Sequence, residues 1–130
     1  MDFRGLIYDK ESFFKSLDAH VSLSVGPDQG MALLESAVTG TPSFGLQLTK
    51  RYDGTQDVIP SHFDERELAG IILERTETQE AIQELGTKQR QWVLEHRSIE
   101  SMARSYEAIY LRHLSHRGNS QAGSIRHDRV

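Results

Sequence analysis

The chain has no cysteine in its 130 residues, which excludes disulfides, thiolate metal sites and a cysteine nucleophile and fits an expected cytoplasmic location. It also lacks a long hydrophobic run. The opening MDFRGLIYDKESFF carries charges every few positions, so neither a signal peptide nor a membrane span is expected. Nor is there a large surplus of either charge. With 15 basic and 19 acidic residues the formal charge is -4, which gives no general attraction to nucleic acid or to an anionic membrane. The length excludes a second full domain: 130 residues make one domain with a core, small for an enzyme that must hold two substrates.

The first half alternates short apolar runs with helical pieces. HVSLSV, residues 20–25, is short, β-branched and alternating and stops at Gly26 and Pro27, the pattern of a buried strand entering a loop. Met31, Leu34 and Val38 then recur at helical spacing, with Gly40 placed to end the helix in a left-handed conformation. PSFGLQL returns to extended structure, so the segment reads as a β-α-β unit of a parallel sheet. TKRYDGTQD is a loop, and DVIP a brief strand.

The second half reads as helix throughout. Asp64 with Glu67 opens one helix, with Leu68, Ile71 and Ile72 on a shared face; Thr76 with Gln79 opens another that aligns Ile82, Leu85, Trp92 and Val93. Ser98 is the expected N-cap of a third, whose stripe is Ile99, Met102, Ala103, Tyr106 and Tyr110. Past Leu114 the run SHRGNSQAGSIRHDRV is almost free of apolar residues, and from residue 116 to residue 130 a disordered tail is expected.

The loop and helix in GPDQGMALLESAVTGTP, residues 26–42, carry the main chemical suggestion. In a parallel α/β sheet the loop leaving a strand's carboxyl end is a ligand position, and the next helix presents unpaired N–H groups and the positive end of its dipole. Gly30 allows close approach, the amides of Gly30, Met31 and Ala32 face an anion such as phosphate, and Glu35 lies one turn on, where it can accept hydrogen bonds from a ribose diol. From spacing alone, the plainer alternative is a packed amphipathic helix with one solvated acid.

The order of motifs resembles the C-terminal nucleotide-sugar-binding domain of GT-B type retaining glycosyltransferases, from about Phe3 to about Leu114. The family's glycine-led strand, its strand ending in Ser, its Gly-containing loop, its L-L-E-A helix and its G-x-P turn correspond to Gly5, LDAHVSLS, Gly30, LLESA and GTP. The closing helices, AIQELGTKQRQWVLEHRSIESMARSYEAIYLRHL, are similar as well. The resemblance implies a partial Rossmann-like parallel sheet, half of such a domain in residues 1–115, followed by C-terminal helices. It implies that Glu35 holds the ribose of a nucleotide-diphosphate sugar and that the amides near Met31 and Ala32 face its phosphates. The family's first acid falls at Pro27, which has no carboxylate; Asp28 is the neighbouring candidate for the donor sugar hydroxyls.

The expected function is therefore sugar transfer in glycan or polysaccharide synthesis, with no metal or cofactor and with the acceptor-binding half supplied by another chain. No catalytic residue is assigned. The alternative is a non-catalytic remnant or interaction module whose helices pack on a partner, and an oligomer is compatible with either. Several other features carry less. His113 and His116 stand at i, i+3 but have no third metal ligand nearby. Lys50 and Arg51 read as a solvated loop pair, and Ser24 has no recognisable His and Asp partners. The basic residues from Arg112 to Arg129 suggest at most a peripheral membrane contact, while Trp92, Tyr106 and Tyr110 read as core or as packing for a partner.

Overall fold

A computed structural model describes residues 1–23, 30–46, 54–55 and 58–124, with the backbone alone described from 117 to 124. The elements are α1 (Lys10–Lys15), β1 (His20–Ser22), α2 (Gly30–Val38), β2 (Ser43–Leu46), β3 (Ser61–His62), α3 (Glu65–Arg75), α4 (Gln79–His96) and α5 (Ile99–Ser124). The chain divides into two units, Met1–Leu94 and Glu95–Val130. No described helix is long and apolar enough to cross a membrane.

The first unit is mixed α/β around a small parallel sheet of order β1-β2-β3. The expected β-α-β unit is present: His20, Val21 and Ser22 lie opposite Ser43, Phe44 and Gly45. A parallel pair needs a crossover, and α2 supplies it. Helix α2 stops where Gly40 turns to φ 85°, a conformation that glycine reaches without a Cβ penalty. The strand expected at DVIP begins later. The N–H groups of Val58 and Ile59 donate to the Thr55 carbonyl at 3.2 and 2.8 Å in a turn, so pairing starts past Pro60 with Gly45 and Leu46 opposite Ser61 and His62.

Two expectations at the strand ends also change. β1 closes at Ser22, with Leu23 outside it and residues 24–25 outside the described residues. The glycine-led strand near Gly5 does not form. Residues 1–7 contain neither helix nor strand, and Phe3, Leu6 and Tyr8 are exposed, so no packing layer offsets the entropy of extending them.

Leu33 and Ala37 of α2, Val93 of α4 and Ile59 from the turn before β3 form the buried core, with Leu34, Val38 and Trp92 packed against it. Phe44 in the central strand is fully buried, as a strand covered on both faces requires. Helix α4 reaches the sheet through polar and small residues. Gln89 is wholly buried; its Oε1 accepts from Ser43 N–H at 2.7 Å, and its Nε2 donates to the carbonyls of Ser43 and Val58 at 2.9 and 3.3 Å. The carboxamide thus pairs with Ser43 as a strand residue would, at a position that β3 starts too late to cover. One turn earlier Gly86 lies against the Gly40–Pro42 turn so closely that a Cβ there would stand 2.0 Å from the Gly40 oxygen.

Helix starts follow local chemistry. Asp64 caps α3 by accepting from the N–H groups of Arg66 and Glu67 at 2.9 and 3.0 Å. The cap expected at Thr76 belongs instead to the end of α3: its N–H and hydroxyl both donate to the Ile72 carbonyl, at 3.0 and 2.7 Å. Thr78 caps α4, its Oγ1 accepting from Ala81 N–H at 3.1 Å.

In the second unit Ser98 caps α5 as expected, accepting from Ser101 N–H at 3.1 Å. The helix continues to Ser124, through much of the run expected to be disordered. A helix already nucleated adds polar residues at little cost, whereas nucleating a new one in that run would be unfavourable. Residues 125–130 lie outside the described residues.

Candidate functional site

Of the residues singled out in the loop and helix, Asp28 lies outside the described residues, as do Pro27, Ser24, Lys50 and Arg51. Gly30 opens α2 with φ 71°, which the absence of a side chain permits. Its amide and those of Met31 and Ala32 fall in the first turn, where the helix offers no carbonyl to receive them. All three residues are exposed. Their N–H groups and the helix dipole together favour an anion at this end.

Glu35 is directed elsewhere. Its partly exposed carboxylate receives the Lys10 ammonium of α1, with Nζ 3.0 and 3.2 Å from the two oxygens. The pair sits at a cavity of about 430 Å³ between α1, α2 and α4, to which Phe14, Lys15, Val38 and Arg90 also contribute. Gly30, Met31 and Ala32 do not line it. The structure therefore brings Glu35 together with three cationic side chains, Lys10, Lys15 and Arg90, and with a second acid, Glu11, and leaves the helix start as a separate surface.

Each cation is held by its own element. Asp9 caps α1, accepting from Ser12 N–H at 3.1 Å, and this hydrogen bond lowers its pKa by stabilising the charged form. The cap sets the helix whose first residue is Lys10. Lys15 bonds back to Glu11 one turn earlier. Arg90 Nε donates to the Val38 carbonyl at 3.0 Å, placing a cation at the C-terminal end of α2, where the helix dipole favours it. Below the cavity, Thr41 Oγ1 donates to the Phe14 carbonyl at 2.7 Å and ties the end of α1 to the turn before β2.

The Phe14 ring packs edge-on against His20 of β1, centroids 5.3 Å apart. His20 Nδ1 is buried and has no hydrogen-bond partner among the described residues. Burial lowers the imidazole pKa because the charged form would lose hydration without gaining a partner. At neutral pH it is an uncharged packing group.

The Lys10–Glu35 pair is half exposed, and such pairs contribute about 0–1 kcal/mol. It is accordingly easy to exchange. A carboxylate has about four acceptor sites, so Glu35 retains capacity for hydroxyl donors beside the ammonium. Among the described residues no group of three His, Cys, Asp or Glu is arranged to hold a metal ion. The sequence reading missed Lys10, Lys15 and Arg90. The available signal lay in DKESFFK, where Asp9 with Ser12 marks a helix start and so puts Lys10 and Phe14 on one face.

Comparison of the chain with protein-family models, with curated proteins and with solved structures returns no match.

Proposed function

We propose that the first unit binds a nucleotide-diphosphate sugar in the manner of a glycosyltransferase donor domain, with the three-stranded sheet as part of a Rossmann-like fold. The observation that carries this reading is the placement of Glu35 in a cavity shared with Lys10, Lys15, Arg90 and Glu11, on a helix that follows a strand of a parallel sheet. On this reading Glu35 accepts from the ribose hydroxyls, releasing Lys10 toward the ligand's phosphates. The first-turn amides of α2 at Gly30, Met31 and Ala32 offer a second anion contact, and Asp28 is the candidate for the sugar hydroxyls. These are binding roles. In transfer with retention, a held diphosphate leaving group and an aligned acceptor account for much of the rate, and no residue is assigned to the acceptor.

Calorimetry with nucleoside diphosphates and with their 2′-deoxy counterparts tests the reading. Binding to the wild-type chain is expected to weaken about tenfold when the 2′-hydroxyl is removed, the loss of one hydrogen bond to a charged acceptor. Glu35→Ala is expected to bind both ligands equally weakly. Absence of heat with every nucleoside diphosphate, or equal discrimination by Glu35→Ala and wild type, would refute it.

A further inference from the structure

The charged side chains that line the cavity between α1, α2 and α4 all belong to the first unit, and all but one of them are matched in pairs. Lys10 bonds Glu35 and Lys15 bonds Glu11. Arg90 is the remainder. Its Nε donates to the carbonyl of Val38, the last residue of α2, and among the described residues its two terminal amino groups have no partner. The bond at Nε fixes the plane of the guanidinium, leaving the terminal amino groups as a fork for an acceptor with two oxygens.

Charge and shape select what the fork takes. The cations Lys10, Lys15 and Arg90 against the acids Glu11 and Glu35 leave a single positive charge, and the carboxyl end of α2 offsets about half of it. One negative charge is therefore accommodated and a second is not. A carboxylate meets that limit and matches the fork with two parallel hydrogen bonds, whereas a phosphate monoester, at about −2 near neutral pH, exceeds it. Val38 and Phe14 add apolar lining to the same cavity. We propose that Arg90 binds the carboxylate of a small monocarboxylic acid in this cavity, with the acid's hydrocarbon part against Val38 and Phe14. The nucleotide reading rests on Glu35 and Lys10 and gives Arg90 no role, so the two are tested separately.

Titration of the full chain with benzoate, with neutral benzamide and with phenyl phosphate, followed by amide NMR shifts, is the test. Benzoate is expected to bind with a Kd of about 1 mM, and the other two at least about tenfold more weakly. Arg90→Gln removes the charge and the fork and is expected to weaken benzoate about tenfold or more; Arg90→Lys keeps the charge alone and is expected to fall between. Glu11→Gln frees Lys15 and is expected to tighten benzoate about threefold, a gain that damage to the fold does not produce. Glu35→Ala is expected to leave benzoate binding undiminished, whatever it does to nucleotides. No benzoate-dependent shift up to about 20 mM overturns the proposal. So does benzamide or phenyl phosphate binding as tightly as benzoate, full binding by Arg90→Gln, weakened binding by Glu11→Gln or Glu35→Ala, or shifts confined to residues away from the cavity.

Discussion

Replacing Gly86 with alanine opposes two effects of known sign. In an exposed helix interior the change is favourable by about 1 kcal/mol, because glycine loses more backbone freedom on folding. At Gly86 the new methyl group would stand 2.0 Å from the Gly40 oxygen and 3.0 Å from its carbonyl carbon. Both obstructing atoms are backbone, and Gly40 is itself held at φ 85° by the end of α2, so the clash must be relieved by moving α4. That movement would lengthen the Gln89 hydrogen bonds to Ser43, now 2.7 and 2.9 Å, and the Arg90 bond to Val38, now 3.0 Å. Overpacking costs typically about 1–3 kcal/mol and each weakened hydrogen bond up to about 1 kcal/mol. The expected net result is a loss of about 2–4 kcal/mol, a large share of the stability of a small domain. Urea denaturation of Gly86→Ala beside Gly70→Ala measures it. Gly70 lies in α3 with nothing within 4 Å of an added Cβ, so that variant is expected to gain up to about 1 kcal/mol. If both variants gain stability alike, α4 does not rest on the Gly40–Pro42 turn and the account of the core is wrong.

Two further perturbations probe buried polar groups. Gln89→Leu leaves the Ser43 N–H and two carbonyls without partners and is expected to cost about 3 kcal/mol at any pH, while Gln89→Glu puts an oxygen where the amide donated. The introduced carboxyl's folded pKa is then raised, so in denaturant titrations Gln89→Glu should be mildest at acid pH and worsen as pH rises through about 4.3 and above; parallel pH profiles for the two variants would reject the donor role. For His20 the folded pKa is lowered by burial, so its contribution is complete above its unfolded value of about 6.5 and is lost as pH falls through the lower folded value. The unfolding midpoint of wild type is therefore expected to fall more steeply than that of His20→Phe as the pH drops below about 6.5, and identical profiles would show that the imidazole does not titrate against the fold.

What residue type and spacing could reach was local. Gly40 ending α2, Asp64 opening α3, Ser98 opening α5 and the parallel relation of β1 to β2 follow from neighbouring residues and from the length of the connection, and they were legible in the chain. The shift of the cap from Thr76 to Thr78 was a local ambiguity between two threonines, resolved by which carbonyl Thr76 meets at the end of α3. At the candidate site, Glu35 was legible as an acid on the helix after a strand. Its surroundings were not, because Lys10 and Arg90 come from helices distant in sequence.

The sequence by itself determined an α/β unit followed by helices, the helix that carries Glu35 and the apolar stripe of α5. Only the tertiary structure decided that Gln89, in the stripe of Ile82, Leu85 and Val93, is buried as a surrogate for a strand's peptide group, and that Gly86 is a point of close approach. The physical reason is common to both. Periodicity reports which side chains share a surface, whereas the backbone groups or apolar layer that meet that surface belong to segments brought near it only by folding or by association.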